Sequence, residues 1–177
     1  MYALNVGSGE VRVSDDPDSV LVARGIAASM AVSAYDAAAK VGGILHFELP
    51  DAEPGQMLIA DARGRYADTG IHALLEELHR CGGDRNRLQV RLVGGSKLEA
   101  YGPDTGKRNY LAVRKTLWKL GIFITAEAVG GTGLRTASLD IGTGKVWIID
   151  TAAQAPSAAA APRAGEATGG LQCATVS

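Results

Sequence analysis

Cysteine is scarce here. The 177 residues hold two, Cys81 and Cys173, far apart and with no CxxC or Cys/His cluster around either. That argues against a structural disulfide and against a zinc site. The three histidines, His46, His72 and His79, lack the spacing of metal ligands, so neither metal nor cofactor is expected. Charge of one sign is also missing: 18 Lys and Arg stand against 19 Asp and Glu, a net charge of -1. Such a balance leaves no basic footprint for nucleic acid and no acidic tail for cationic partners. No apolar run approaches the length of a membrane span. The opening MYALNVGSGE has neither the positive n-region nor the apolar h-region of a signal peptide, which makes a cytoplasmic chain the expectation.

With 46% apolar residues, the chain suits one domain with a real core. Its composition changes at Thr151. The stretch TAAQAPSAAAAPRAGEATGGLQCATVS is rich in Ala, Pro, Gly and Thr and nearly empty of large apolar side chains. It cannot offset its ordering entropy by burial. The expected organisation is therefore a domain over residues 1–150 and a low-complexity, disordered tail over 151–177.

Within the domain the periodicities alternate. SVLVARG, SMAVSAYD and GGILHFELP read as strands, and the last two, joined by DAAAKVGG, form a hairpin. YADTGIHALLEELHRCGG switches to helical spacing, with Ile71, Leu74, Leu75 and Leu78 on one stripe and Gly82 to end it. LQVRLVGG returns to strand. RNYLAVRKTLWKLG is a second amphipathic helix, with Tyr110, Val113, Leu117 and Leu120 on one face and Gly121 closing it. IFITAEAVGG is a further strand, and TASLDI and KVWIID pair around Gly142-Thr143-Gly144. Strands outnumber helices and several join by hairpins, which argues for α+β rather than a doubly wound sheet.

His46 is the first candidate for chemistry. In its strand, Ile44, His46 and Glu48 face one way and Leu45, Phe47 and Leu49 the other. A histidine in such a strand is ordinarily half-buried and bonded to a backbone carbonyl. A hairpin that pairs Tyr35 with Gly42, however, sets His46 opposite Ala31 and makes Ser29 its diagonal neighbour. Diagonal positions lie about 7–8 Å apart, within reach of a histidine side chain, and a nucleophile beside an imidazole is the minimum for acyl transfer. His72 and His79 read as parts of a solvated helix face. Cys81, near the negative end of the helix dipole, reads as a packing residue rather than a reactive thiol. Gly94-Gly95-Ser96 and Gly130-Gly131 match no phosphate-binding loop and read as tight turns.

Seven segments, in order, carry a family resemblance: VGSGEVRVSDDPDSVLV, AAKVGGILHFELPD, YADTGIHALLEEL, LVGGSKL, KRN, GGTG and TGKVWI. Together they resemble CheD, the chemoreceptor glutamine deamidases of bacterial and archaeal chemotaxis, over about Val6 to Ile149. The resemblance implies a fold like that of deamidating toxins, two mixed β-sheets packed together with helices outside. It also implies a mechanism. A cysteine thiolate attacks a glutamine side-chain amide, a histidine activates the thiol and protonates the departing ammonia, water hydrolyses the thioester, and an upstream threonine completes the trio. Among partners it implies chemoreceptor cytoplasmic helices and a CheC-type phosphatase, with Lys107, Arg108 and Asn109 as candidate docking residues. It implies neither nucleic acid nor membrane insertion.

By position, His46 matches the family's histidine, Ser29 stands where the cysteine is expected, and Ala23 where the threonine is expected. The segment resembling GLGSC reads GIAAS, so Ala27-Ala28 replaces Gly-Ser. A thiol has a reference pKa of about 8.5 and ionises beside an imidazolium. A serine hydroxyl instead needs its proton removed during attack, by a base that a third group orients. Losing a member of such a unit costs on the order of 10⁴–10⁶ in turnover. The expectation is a receptor- or phosphatase-binding protein with deamidase activity lost or strongly reduced. The alternatives are an active deamidase using Ser29 and His46, and a structural regulator unconnected to receptors.

Overall fold

A computed structural model of the chain describes residues 1–52, 60–151 and 173–176. In chain order the elements are β1 (Tyr2–Val6), β2 (Glu10–Ser14), β3 (Ser19–Ile26), β4 (Met30–Asp36), β5 (Val41–Phe47), α1 (Ala67–Arg80), β6 (Gln89–Gly94), α2 (Thr105–Lys119), β7 (Ile124–Val129), β8 (Leu134–Asp140), β9 (Val146–Thr151) and β10 (Cys173–Val176). They form two five-stranded sheets, ordered β1-β3-β8-β9-β10 and β2-β5-β4-β6-β7. Both are mixed: β1 runs parallel to β3 and β6 parallel to β7, while the other pairs are antiparallel. The architecture is α+β, as the strand-rich pattern predicts, and a two-sheet sandwich, as the family resemblance implies.

The second sheet is the middle layer. On one side Ala31, Tyr35, Ile44 and Val93 pack against Leu21, Ala137, Leu139 and Val146 of the first sheet. On the other, Met30, Val32, Leu45, Phe47 and Leu92 pack against Ile71, Leu74 and Leu78 of α1 and Val113 and Leu117 of α2. Alternate residues of one strand thus serve two cores, as the period of 2 requires. Every residue of β4 and β5 is buried as a result. Gly42 and Gly43 permit the layers to approach. A Cβ on Gly42 would fall 2.9 Å from Leu139 Cδ2, and one on Gly43 2.7 Å from Leu74 Cδ1.

The strands β3 and β4, adjacent in sequence, belong to different sheets. The chain crosses between them through Ala27, Ala28 and Ser29. Before the crossing, β3 loses register against β8 between Ala23 and Ile26, and Gly25 there has φ +68, a left-handed conformation that a Cβ disfavours. The β4–β5 hairpin has the anticipated register, Tyr35 opposite Gly42 and Ala31 opposite His46. The β8–β9 hairpin closes around Gly142–Gly144, with Leu139 opposite Val146.

Both helices carry the anticipated inward stripes, although α2 begins at Thr105, three residues before the amphipathic pattern becomes legible. Cys81 corrects one expectation: it is exposed rather than packed. Partial burial, then the Asp15 and Glu77 carboxylates, raise its thiol pKa above the ordinary value. The tail expected over 151–177 falls mostly outside the described residues. Its described members are Thr151, which ends β9, and Cys173–Val176, which pair antiparallel with Val146–Ile149 as β10. No helix among the described residues is long and apolar enough to cross a membrane.

Candidate active site

The segment that crosses between the sheets is held from behind. Gly95 N–H donates to the Ser29 carbonyl at 3.0 Å, and Ser96 N–H donates to the Ala27 carbonyl at 2.7 Å. A side chain at Gly94 would place its Cβ 2.4 Å from the Ser29 carbonyl oxygen, so only glycine lets β6 come this close. The glycine pair read as a tight turn is therefore also the backing of the Ser29 segment.

In front of that backing, Ser29 Oγ lies 3.0 Å from His46 Nε2. The Ala27 N–H points at the same hydroxyl from 3.4 Å. Ser29 is half-buried, while the imidazole is only 3% exposed. Burial pushes the His46 pKa below its ordinary value, and the Glu48 carboxylate and the Val6 backbone offset part of this. A depressed pKa keeps the ring neutral near pH 7, the state that accepts a hydroxyl proton. Its other nitrogen, Nδ1, is buried and without a hydrogen-bond partner among the described residues. Among the described residues no side chain orients the ring from that side, where the Val6 backbone is its neighbour, in contrast to a complete triad.

Ala23 is fully buried in β3, in register with Val6 and Ala137 and inside the core between the sheets. Its methyl group supplies no acceptor for Nδ1. Ser29 and His46 open instead onto a cleft of about 550 Å³, whose walls include Arg24, Glu48, Tyr101 and Thr105. Glu48 is tied by Ser8 Oγ at 2.7 Å and by Arg65 Nε at 3.3 Å, and Arg24 is bonded to Asn5. The cleft thus has a cation and an anion on its rim and an apolar floor at Ala27 and Ala28.

The three candidate docking residues separate. Lys107 and Arg108 are exposed at the start of α2. Asn109 is fully buried, which removes it from any docking surface. Its Nδ2 donates to the Ala28 carbonyl at 2.9 Å and to the Glu48 carbonyl at 2.8 Å. It therefore ties the residue before Ser29 to the strand end two residues beyond His46. The sequence signal for this role was its place one turn into a helix with neighbours on the outer face, a position that faces inward. His72 and His79 are exposed on α1, away from the cleft. Among the described residues no group of three or more His, Cys, Asp or Glu side chains could hold a metal ion.

A hydroxyl hydrogen-bonded to a buried neutral imidazole, at the mouth of a two-sheet α+β sandwich, is the arrangement of a nucleophile–base hydrolytic site. The comparisons narrow this class. Residues 49–150 match the family model described as CheD chemotactic sensory transduction, a segment that begins just after His46. A protein of Solibacter usitatus described as "Probable chemoreceptor glutamine deamidase CheD" is 41% identical over 161 residues, covering 87% of this chain and 92% of that protein. The "Chemoreceptor glutamine deamidase CheD" of Thermotoga maritima is 38% identical over 144 residues, covering 81% of this chain and 88% of its own. A relative in Anaeromyxobacter dehalogenans is 35% identical over 150 residues. The chain belongs to the CheD family.

Proposed function

We propose that this protein recognises chemoreceptor cytoplasmic helices, a CheC-type phosphatase, or both, from the cytoplasm, with its glutamine deamidase activity lost or strongly reduced. In this reading residues 1–150 act as the CheD-like domain and 151–177 as a low-complexity tail. The observation that carries it is the incomplete catalytic set: a serine oxygen, not a sulfur, lies 3.0 Å from His46 Nε2, and among the described residues no side chain partners the Nδ1 of that ring. An alcohol does not ionise beside an imidazole near neutral pH as a thiol does. Attack then depends on simultaneous proton removal by a ring that no third side chain among the described residues orients. Recognition makes no such demand, and the cleft and its Arg24 and Glu48 rim are present to make it.

The hydrogen bond itself favours a second reading, a working deamidase. Nε2 would take the Ser29 proton as Oγ bonds to the side-chain carbonyl carbon of a glutamine. The imidazolium would return that proton to the nitrogen, the C–N bond would break, and ammonia would leave. Water, deprotonated by the same ring, would then split the ester to give glutamate and restore Ser29.

One assay separates the two readings. Receptor cytoplasmic fragments are incubated with the native protein, with Ser29→Cys and with Ala23→Thr/Ser29→Cys, and glutamine-to-glutamate conversion is followed by mass spectrometry. Calorimetry against the same fragments and a CheC-type protein measures binding. The proposal expects saturable binding, no conversion by the native protein, and conversion by the double variant. Conversion by the native protein that disappears in His46→Ala establishes the second reading, and absence of binding to both partners defeats the first.

A further inference from the structure

The outer face of α2 departs from the balanced charge of the chain. Its residues include Lys107, Arg108, Arg114, Lys115 and Lys119 and no Asp or Glu, although the whole sequence has 18 bases and 19 acids. All five cations are exposed. Among the described residues none of them forms an ion pair. Arg114 stacks over Tyr110 at 5.5 Å and donates to its hydroxyl, which in turn donates to Glu127.

Large apolar side chains lie among these charges. Leu111 is 55% exposed, Trp118 81%, and Phe123, just beyond the helix, 87%. Trp118 and Phe123 flank a groove of about 610 Å³, with Ile122, Ile124 and Ala126 along its wall. That wall includes β7, an edge strand of its sheet among the described residues. Exposed aromatic side chains gathered at a concave site mark a place where another surface is buried.

We propose that this face, from Lys107 to Phe123, docks an acidic amphipathic helix of a partner protein. The partner's apolar side would enter the Trp118–Phe123 groove, and its carboxylates would meet the α2 cations. The spacing supports a helix. Lys107 and Arg114, like Arg108 and Lys115, are seven residues and roughly 10.5 Å apart, the interval at which a helix lying alongside repeats one face. The absence of acids along α2 selects a negatively charged occupant. The chain's own residues 152–172 do not fit, since they offer one acid, Glu166, and one base, Arg163. A lipid surface fits less well than a protein: the aromatics border a concave groove with Glu127 in its lining, rather than a flat apolar plane. The inference concerns this surface alone and is independent of what Ser29 can catalyse.

The test uses the full chain and a synthetic helical peptide carrying leucine and glutamate on heptad-spaced faces. Three controls accompany it: the same peptide with lysine for glutamate, phosphatidylglycerol/phosphatidylcholine vesicles, and sedimentation of the protein alone. Calorimetry and tryptophan emission report binding. Saturable binding of the acidic peptide is expected, with a blue shift that is absent in Trp118→Ala. Affinity should fall with salt and drop at least roughly tenfold in Phe123→Ala and in Lys115→Glu/Lys119→Glu. These positions are exposed, and circular dichroism verifies that the variants fold. The proposal is overturned by no saturable binding, by equal binding of the lysine peptide, by indifference to the variants, by binding to vesicles alone, or by self-association through this face. Any of these leaves the receptor assay above to stand or fall by its own result.

Discussion

The β4–β5 hairpin carries a buried titratable side chain at each end, and the two are treated differently. At the turn, the Asp36 carboxylate is fully buried and its acceptor sites are filled. Arg87 donates from Nη2 at 2.7 Å and Nε at 3.2 Å, and the N–H groups of Asp84, Ala38 and Ala39 add three more bonds. Although burial opposes ionisation, these bonds outweigh it and hold the pKa down at about 2. At the open end, His46 is nearly as buried, but among the described residues its one side-chain bond is to a half-buried serine and no side chain meets Nδ1. Asp36 has the marks of a residue that holds a fold together, and His46 lacks them.

That contrast breaks if Asp36 proves dispensable. Asp36→Ala should destabilise the protein by about 3 kcal/mol in chemical denaturation, because it strips the turn of its acceptor, leaves three N–H groups without their carboxylate and leaves Arg87 with Asp84 alone. Acid titration sharpens the same point. The Asp36 pKa is lower in the folded state than in the unfolded, so its contribution is complete above about pH 4 and fades as pH falls toward about 2. An Asp36→Asn stability profile should be flatter across that window.

Next in size is Asn109→Ala, which leaves the Ala28 and Glu48 carbonyls without their donor. A loss of roughly 2 kcal/mol is expected, together with a changed His46 imidazole signal in NMR, since the tie between the Ser29 segment and the His46 strand is gone. An unchanged imidazole spectrum would remove Asn109 from the site.

His46 itself should titrate below its ordinary value when followed by NMR. Its linkage has the consequence that, as pH falls below about 6.5, the unfolded chain takes up a proton that the folded chain resists, so stability declines. The decline should disappear in His46→Gln. Ser29→Ala should have the smallest effect, within about 1 kcal/mol, because the half-buried hydroxyl lines the cleft, where water can take its place beside His46 Nε2 and the Ala27 N–H. A larger loss would make Ser29 structural and erase the distinction between the two ends.

Much of this was legible before any coordinates. The alternation in VGGILHF, the stripe of Ile71, Leu74 and Leu78, and the turn at Gly142-Thr143-Gly144 are local signals, written in side-chain periods and backbone preferences. The hairpin register was only one pairing that the turn allows, and the structure, with Tyr35 opposite Gly42, is what sets Ser29 beside His46. The burial of Asn109 was less visible. It sits beside Lys107 and Arg108 in sequence, and its polar side chain masks the one local signal, a place four residues before Val113 on the buried stripe of α2. Cys81 was misread for a related reason: its place at a helix end constrains the dipole it feels but not what covers it.

Local chemistry, then, determined both helices, the strands from β3 to β9, the α+β class and the substitution of an alcohol at a position where the family resemblance calls for a thiol, but not β1, β2 or β10. Tertiary structure decided that β3 and β4 lie in different sheets, that Gly94 and Gly95 back the segment crossing between them, and that Asn109 ties this segment to the His46 strand. Periodicity reports which way a side chain points from its own backbone. Which distant backbone it meets depends on how layers separated by tens of residues come together, and no local period encodes that.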